Sequence, residues 1–428
     1  LFVITIEEES VKQLRCRECG RLRPFEPAYV CEHCFGPLEV VYDLEAIRRQ
    51  ISRRTISEGP TTIWRYRDLL PAPPSDPIDL GTGYTPLVEA RNLGRELGLH
   101  HLYVKNDTVN PTGSFKDRNV AVATNFALSY GFDTLSCSST GNLAGSVAAY
   151  AARSGLRSLV FIPAGLEPVK VGAATAYGAT IVEVDGTYDD VNRLCAELAD
   201  AYHWAIVNVN LRPFYSEGSK TLAFEVVEQL GWRPPDHIVV PVAAGSLLAK
   251  TAKAFSELFG AGLVDQVSTR IHAAQAEGCA PVSRAIQLGQ DRVSPVKPNS
   301  LAKSLAIGNP ADGRYAARAV RASGGWGTVC HEDTIQESMA LLAETEGILT
   351  EPAGGVVVAG LRELVLSGRI KRDESVVICI TGNGLKTTEL FNGENRRIRL
   401  THARSEDFEQ VFSSISLPLR GRVGVGAS

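Results

Sequence analysis

The chain has no run approaching the roughly 18–20 apolar residues that a membrane-spanning helix requires, so no such span is expected. It has little charge imbalance: 44 Lys and Arg against 48 Asp and Glu leave a formal net charge of -4. That removes the electrostatic case for nucleic acid or an anionic membrane as partner, while leaving room for a local basic pocket that takes a small phosphorylated molecule. Short internal repeats and low-complexity tracts are missing too. The first ten residues turn acidic at Glu7 and lack the basic-then-apolar layout of a secretory signal. A secreted disulfide framework is also absent in pattern. The nine cysteines are odd in number, with four clustered near the start and Cys137, Cys195, Cys279, Cys330 and Cys379 scattered. The cytosol is therefore the expected compartment.

What is present is an ordinary globular composition, 44% hydrophobic and 21% charged over 428 residues. That length allows about two or three domains and a large core. Residues 11–43 form a compact, turn-rich segment, and 44–60 read as helical and charged. A proline-rich connector spans 69–86 and is expected to be extended, since proline disfavours helix there. From about residue 100 strands and helices alternate. Strands are expected at 102–105, 134–138, 158–163, 179–185, 205–209, 237–242, 270–275 and 376–380. Helices are expected over 113–131, over 143–155 after the opening segment 139–142, over 169–178 and over 188–201. Apolar runs bounded by glycine and proline and separated by helices indicate parallel strands buried on both faces. The last forty residues, from Glu389, are polar and poorly patterned, and a surface-packed or partly mobile tail is expected.

Cys16-Arg17-Glu18-Cys19 and Cys31-Glu32-His33-Cys34 are two Cys-x-x-Cys pairs with eleven residues between them. Each pair can close a tight knuckle and give two thiolates to a tetrahedral ion, so Cys16, Cys19, Cys31 and Cys34 are expected to hold structural zinc. With four protein ligands the ion has no open position, and no catalytic role is assigned to it. A site without metal, or four free thiols, is the plainer alternative.

Four polar segments sit at strand-to-helix junctions, where ligand crevices of parallel sheets lie. In Asn110-Pro111-Thr112-Gly113-Ser114-Phe115-Lys116-Asp117-Arg118 a lysine stands in the first turn of a helix. The helix dipole and local burial favour its neutral amine there, as a Schiff-base nucleophile needs. Lysines on helices are ordinarily just exposed; the Pro-Thr-Gly-Ser-Phe context sets this one apart. Ser138-Ser139-Thr140-Gly141-Asn142 exceeds what capping a helix requires and suits a carboxylate. Pro241-Val242-Ala243-Ala244-Gly245-Ser246-Leu247 ends a strand in small residues, so backbone N–H groups can meet a phosphate unobstructed. Ile380-Thr381-Gly382-Asn383-Gly384-Leu385-Lys386 repeats the pattern. Taken singly, the last two are only turns.

In this order, the segments 110–118, 139–142 and 380–386 resemble the tryptophan-synthase-β-like group of pyridoxal-phosphate enzymes, and within it the threonine synthase family. The likeness runs from about Gly83 to Thr388. Asn210 to Thr221 and Ala302 to Pro310 are similar as well, especially to longer members with a cysteine-rich N-terminal segment. The resemblance implies an α/β fold with two parallel-type twisted sheets flanked by helices (fold type II), plus the small zinc-ribbon-like segment at 11–43. It implies a larger cofactor domain from 44–105 and 211–428, a smaller one from 106–210, and leaves a homodimer open.

The resemblance further implies that Lys116 forms the imine with pyridoxal 5'-phosphate and moves protons. Asn142 would bond the ring hydroxyl, Ala243, Ala244, Gly245, Ser246 and Leu247 would hold the phosphate, and Thr381 would face the ring nitrogen. Ser139 and Thr140 would grip the substrate carboxylate. There are two departures. Ala306 stands where an arginine is often found, so Lys303, Arg212 and Lys220 become the candidates for binding substrate phosphate. Glu351-Pro352 stands where Thr-Ala or Ser-Ala is expected. The implied reaction makes L-threonine and phosphate from O-phospho-L-homoserine and water. Its rivals are β-replacement or β-elimination on phosphoserine, serine or threonine, and a silent homologue acting as a binding protein.

Overall fold

Runs such as Ile238-Val239-Val240 and Val376 to Ile380, wholly buried in the computed structural model, can only be interior strands of a sheet covered on both faces. The structure describes residues 11–71, 76–167, 171–391, 399–400, 403–406 and 408–409. Among the described residues three sheets are formed. The N-terminal one is antiparallel, in the order β2 (Leu22–Arg23), β1 (Val11–Cys16), β3 (Leu38–Tyr42). The largest has six strands. Their order is β12 (Gly327–Cys330), β11 (Arg270–Ala276), β10 (His237–Pro241), β13 (Ser375–Ile380), β5 (His101–Asn106), β4 (Leu87–Glu89). Every pairing in it is parallel except that of β4 with β5. The third sheet is parallel throughout, β8 (Thr180–Val184), β7 (Arg157–Pro163), β6 (Thr134–Cys137), β9 (Ala205–Ile206).

The two parallel sheets and the flanking helices agree with the expected class. The helix Tyr188–Ala201 has the expected bounds, fixed at its start by a capping box between Thr187 and Asp190. Three details differ. The strand expected over 205–209 stops at Ile206, because Asn210 turns the chain: its side chain accepts from the Ile206 N–H at 2.8 Å and donates to the Trp204 carbonyl at 2.9 Å. The helix expected over 169–178 is only Gly172–Ala176, ending near Gly178 with φ +84°; residues 168–170 lie outside the described residues. The short strands β4 and β12 carry too few residues to show a period. Of the proline-rich connector, 72–75 lie outside the described residues, as does most of the expected tail. Residues from Thr387 onward form a small unit of their own, in which the described residues include one short turn, Thr388–Leu390. Among the described residues no helix is long and apolar enough to cross a membrane.

The N-terminal sheet is built onto the core. The rings of Phe126 and Phe214 stack at 3.6 Å, and Phe25 meets both edge-on, at 5.8 and 5.4 Å. Tyr42 donates to Glu217 at 2.8 Å, and Lys253 donates to the Val40 carbonyl at 2.6 Å.

A buried ionic cluster joins four elements, β5, the turn Asp107–Val109, the helix Lys116–Ser129 and the helix Lys220–Gln229. Arg118, in the helix Lys116–Ser129, donates to both oxygens of Asp107 at 2.7 and 2.8 Å and to Glu225 at 2.8 Å. Lys105, at the end of β5, lies 2.7 Å from Glu225, and all these side chains are fully buried. Burial alone would raise the Glu225 carboxyl, but Arg118 and Lys105 outweigh it and hold its pKa at about 2. Its contribution is therefore complete above the ordinary carboxylate range and is lost as pH falls towards about 2. Removing one partner strands the others in a dry interior. Glu225→Ala is expected to lower the unfolding free energy by about 3–5 kcal/mol, read as a drop in the urea midpoint at neutral pH. A midpoint equal to wild type would show that Glu225 does not hold the cluster.

Candidate active site

β10, β13 and β5 are neighbours in one sheet, so the loops leaving their carboxyl ends lie side by side. These loops carry residues 242–247, 381–386 and 107–115. The latter two are joined through their backbones. The Phe115 N–H donates to the Thr381 carbonyl at 3.0 Å, the Asn383 N–H donates to the Gly113 carbonyl at 2.9 Å, and Ser114 bridges Gly382. The loop after β6 belongs to the other sheet, yet its Asn142 reaches the same place. Lys386 donates to the Asn142 carbonyl oxygen at 2.5 Å, and the Asn142 amide donates to both oxygens of Glu351, at 3.1 and 2.8 Å. Lys116, Asn142 and Thr381 therefore belong to one cluster of loops.

Lys116 opens its helix and is held by its neighbours in sequence. Asp117 accepts from the Thr112 N–H at 2.7 Å, from the Thr112 hydroxyl at 2.6 Å and from Ser146 at 2.5 Å, while Arg118 is locked in the ionic cluster. These two anchors spend the local charge on structure and leave Lys116 without a carboxylate partner among the described residues. Its amine stands 4.9 Å from the centroid of the Phe115 ring. Burial draws its pKa down to about 8. Such an amine is neutral far more often than a surface lysine, and so is available as a nucleophile or base.

The Ala243–Leu247 loop leads into the helix Ser246–Gly260, whose first-turn N–H groups have no acceptor within the helix. Gly245 has φ +91°, and a Cβ there would meet the backbone of Asp312 at 2.8 Å. Only glycine permits this close approach. Ala243 and Ala244 are half-buried and project nothing larger than a methyl group. The result is a row of backbone amides, with no side chain larger than a methyl at 243–245, suited to phosphate. Thr381 is buried at the end of β13, and its hydroxyl has no protein partner among the described residues. Ser139 and Thr140 are half-buried, with the Thr140 hydroxyl 3.3 Å from that of Tyr188. A desolvated amine, a loop of backbone amides with room for a phosphate and a hydroxyl without a protein partner among the described residues, at neighbouring loops, fit pyridoxal phosphate.

The three candidates for substrate phosphate fare differently. Lys220 is not available, which corrects that expectation. It is wholly buried, its ammonium 2.7 Å from Glu217, Glu257 and the Leu69 carbonyl, and 4.0 Å from the Tyr42 ring centroid. Arg212 is tied to Asp312 at 2.8 Å and keeps 34% of its side chain exposed. Lys303 is exposed in the turn Lys303–Leu305.

Glu351 and Lys386 were not legible as site residues. Glu351 looks in sequence like a departure from pattern, but it is 7% exposed and packed so closely on Gly382 that a Cβ there would lie 2.2 Å from its carboxylate. Burial pushes its carboxyl above the ordinary range, opposed by the nearby Lys386 and the Asn142 bond.

At the N-terminus, Cys16 and Cys34 have Sγ atoms 3.5 Å apart and Cys19 and Cys31 3.7 Å apart, and all four lie within 4.8 Å of one another. Four thiolates about 2.3 Å from a tetrahedral ion stand roughly 3.8 Å apart, so the donor set fits a closed metal site.

Comparison with known proteins agrees with this geometry. The family described as pyridoxal-phosphate dependent enzyme matches residues 78–382. The chain is 38% identical to the threonine synthase of Methanocaldococcus jannaschii over 376 residues, 87% of this chain and 92% of that protein. It is 37% identical to the threonine synthase of Methanosarcina acetivorans over the same shares. Among solved structures, the processed form of threonine deaminase isoform 2 from Solanum lycopersicum superimposes with a TM-score of 0.60 at 21% identity. That match covers 73% of this chain and 84% of the other and speaks to the fold alone.

Proposed function

Because the chain belongs to the threonine synthase family of pyridoxal-phosphate dependent enzymes, we propose that it converts O-phospho-L-homoserine and water to L-threonine and phosphate. The observation that carries this reading furthest is the desolvated amine of Lys116, which has no carboxylate partner among the described residues, after β5 of the same sheet whose strand β10 leads into the Gly245 loop. Lys116 would hold the cofactor covalently, Ala243 to Leu247 its phosphate, Asn142 its ring hydroxyl and Thr381 its ring nitrogen. Bound there, pyridoxal phosphate supplies an electron sink for negative charge developing beside the substrate amino group. The neutral hydroxyl of Thr381 does not force a proton onto the ring, which tempers that sink.

The work of the chain is to bind, orient and move protons. Ser139 and Thr140 take the substrate carboxylate at the start of the helix Gly141–Ser154. Lys116 Nζ, released when the substrate amine takes its place, takes the proton from Cα, a role suited to an amine whose pKa burial has lowered. A second proton leaves Cβ and phosphate departs from Cγ. One proton returns to Cγ, which becomes the methyl group, water places its hydroxyl on Cβ and gives its proton to the released phosphate, and Lys116 returns the other proton to Cα. Lys303, with Arg212 assisting, supplies the positive charge that Ala306 cannot. A chain with nine cysteines and no disulfide among them suits a reducing compartment, and we place it in the cytosol.

Phosphate release tests the substrate. O-phosphohomoserine is expected to be turned over and phosphoserine not, and Lys303→Ala is expected to raise KM about tenfold with kcat little changed. Preference for phosphoserine would overturn the reaction assigned, and an unchanged KM would remove Lys303 from the site.

The four cysteines are assigned to structural zinc. Elemental analysis of protein purified without chelator should find about one zinc per chain, and its removal should lower the melting temperature. Metal-free protein of equal stability would exclude the role.

A further inference from the structure

The first cysteine knuckle is connected to the phosphate cradle through one carboxylate. Asp312 is 5% exposed and precedes the helix Gly313–Ala322 without capping it by its side chain. Its two oxygens are instead held separately. Arg17, between Cys16 and Cys19, donates to Oδ1 at 2.8 Å, and Arg212 donates to Oδ2 at 2.8 Å. Arg17 is itself confined, its guanidinium 3.4 Å from the centroid of the Tyr315 ring. The next knuckle residue, Glu18, accepts from the Tyr315 hydroxyl and from Arg314, the latter at 3.0 Å.

The backbone of Asp312 faces the cradle. Its N–H donates to the Ala244 carbonyl at 2.8 Å. Its own carbonyl forms the wall against which Gly245 has no space for a Cβ. A carboxylate fixed at both oxygens cannot rotate, and the main chain carrying it is fixed as well. The loop therefore owes its position to a residue of the N-terminal segment far away in sequence.

We propose that Arg17 is a positioning residue for the cofactor: through Asp312 it fixes the loop Ala243–Leu247 and so sets how tightly the cofactor phosphate is held. This rests on the assignment of that loop to the phosphate in the proposed function. It gives the four-cysteine segment a part in the active site, since the knuckle determines where Arg17 stands.

The test is titration of the full-length apo chain with pyridoxal phosphate and, separately, with pyridoxal, which has no phosphate. Arg17→Ala is expected to raise the apparent Kd for pyridoxal phosphate about tenfold, the loss of a hydrogen bond between charged groups. Arg17→Lys should restore part of it. Asp312→Asn, which keeps the backbone, should act in the same direction. The Kd for pyridoxal should stay within about twofold of wild type in every variant, since the affected loop touches only the phosphate. Arg314→Ala, which breaks the neighbouring Glu18 contact alone, should bind both compounds as wild type does. If Arg17→Ala and Asp312→Asn bind pyridoxal phosphate normally, or lose both compounds equally, Arg17 is not a positioning residue. A wild-type chain that takes up neither compound overturns the cofactor assignment beneath, and this proposal with it.

Discussion

Keeping one amine dry at a helix start, with no carboxylate partner among the described residues, is the constraint on which the site depends. Lys116 is followed by an aspartate and an arginine, either of which could have changed its charge. The fold commits both elsewhere: Asp117 to Thr112 and Ser146, and Arg118 to Asp107 and Glu225. The same bonds fasten the helix to the sheet and to the loop before it. The bonds that hold the helix in place are therefore the same ones that leave the Lys116 amine without a charged partner among the described residues. Burial that would be costly for an ion pair left incomplete is compensated around Arg118, while at Lys116 it acts unopposed and lowers the pKa of the amine.

The sheet order decides what gathers round that amine. With β13 between β10 and β5, the loops after all three fall in a row, and the β6 loop joins them through Asn142. Glu351 and Lys386 then complete a polar rim with Asn142 as the common partner. On the other side of the Ala243–Leu247 loop, Asp312 links the cradle to the N-terminal sheet, which is also packed on the core by Phe25 and bonded by Tyr42 to Glu217. The cysteine-bearing segment is thus continuous with the fold that presents the site.

Much of this was legible in sequence because it is local. Apolar runs gave away the interior strands, and the glycines and hydroxyls after them marked the loops. The cysteine spacing announced a cluster that the structure brings together. What could not be read was set by distant partners. Glu217, three residues before Lys220, is a local partner, but nothing near it in sequence says that Glu257 and the Leu69 carbonyl take the rest of its charge. Asp312 has no motif around it, and Glu225 sits in an unremarkable helix. Glu351 stood out only as a mismatch with pattern, and its contact with Asn142 needs the two sheets to be placed. The strand after Trp204 was over-read because the turn made by the Asn210 side chain has no signature in hydrophobicity.

The position of the reactive lysine is tested most directly by borohydride reduction of the cofactor-loaded protein followed by peptide mapping. Reduction makes the lysine–cofactor link permanent, so the modified residue can be read from the digest. The modification is expected on Lys116 alone, with Lys105, Lys220 and Lys386 unmodified. Cofactor fixed to any of those three, or to no lysine at all, would contradict it.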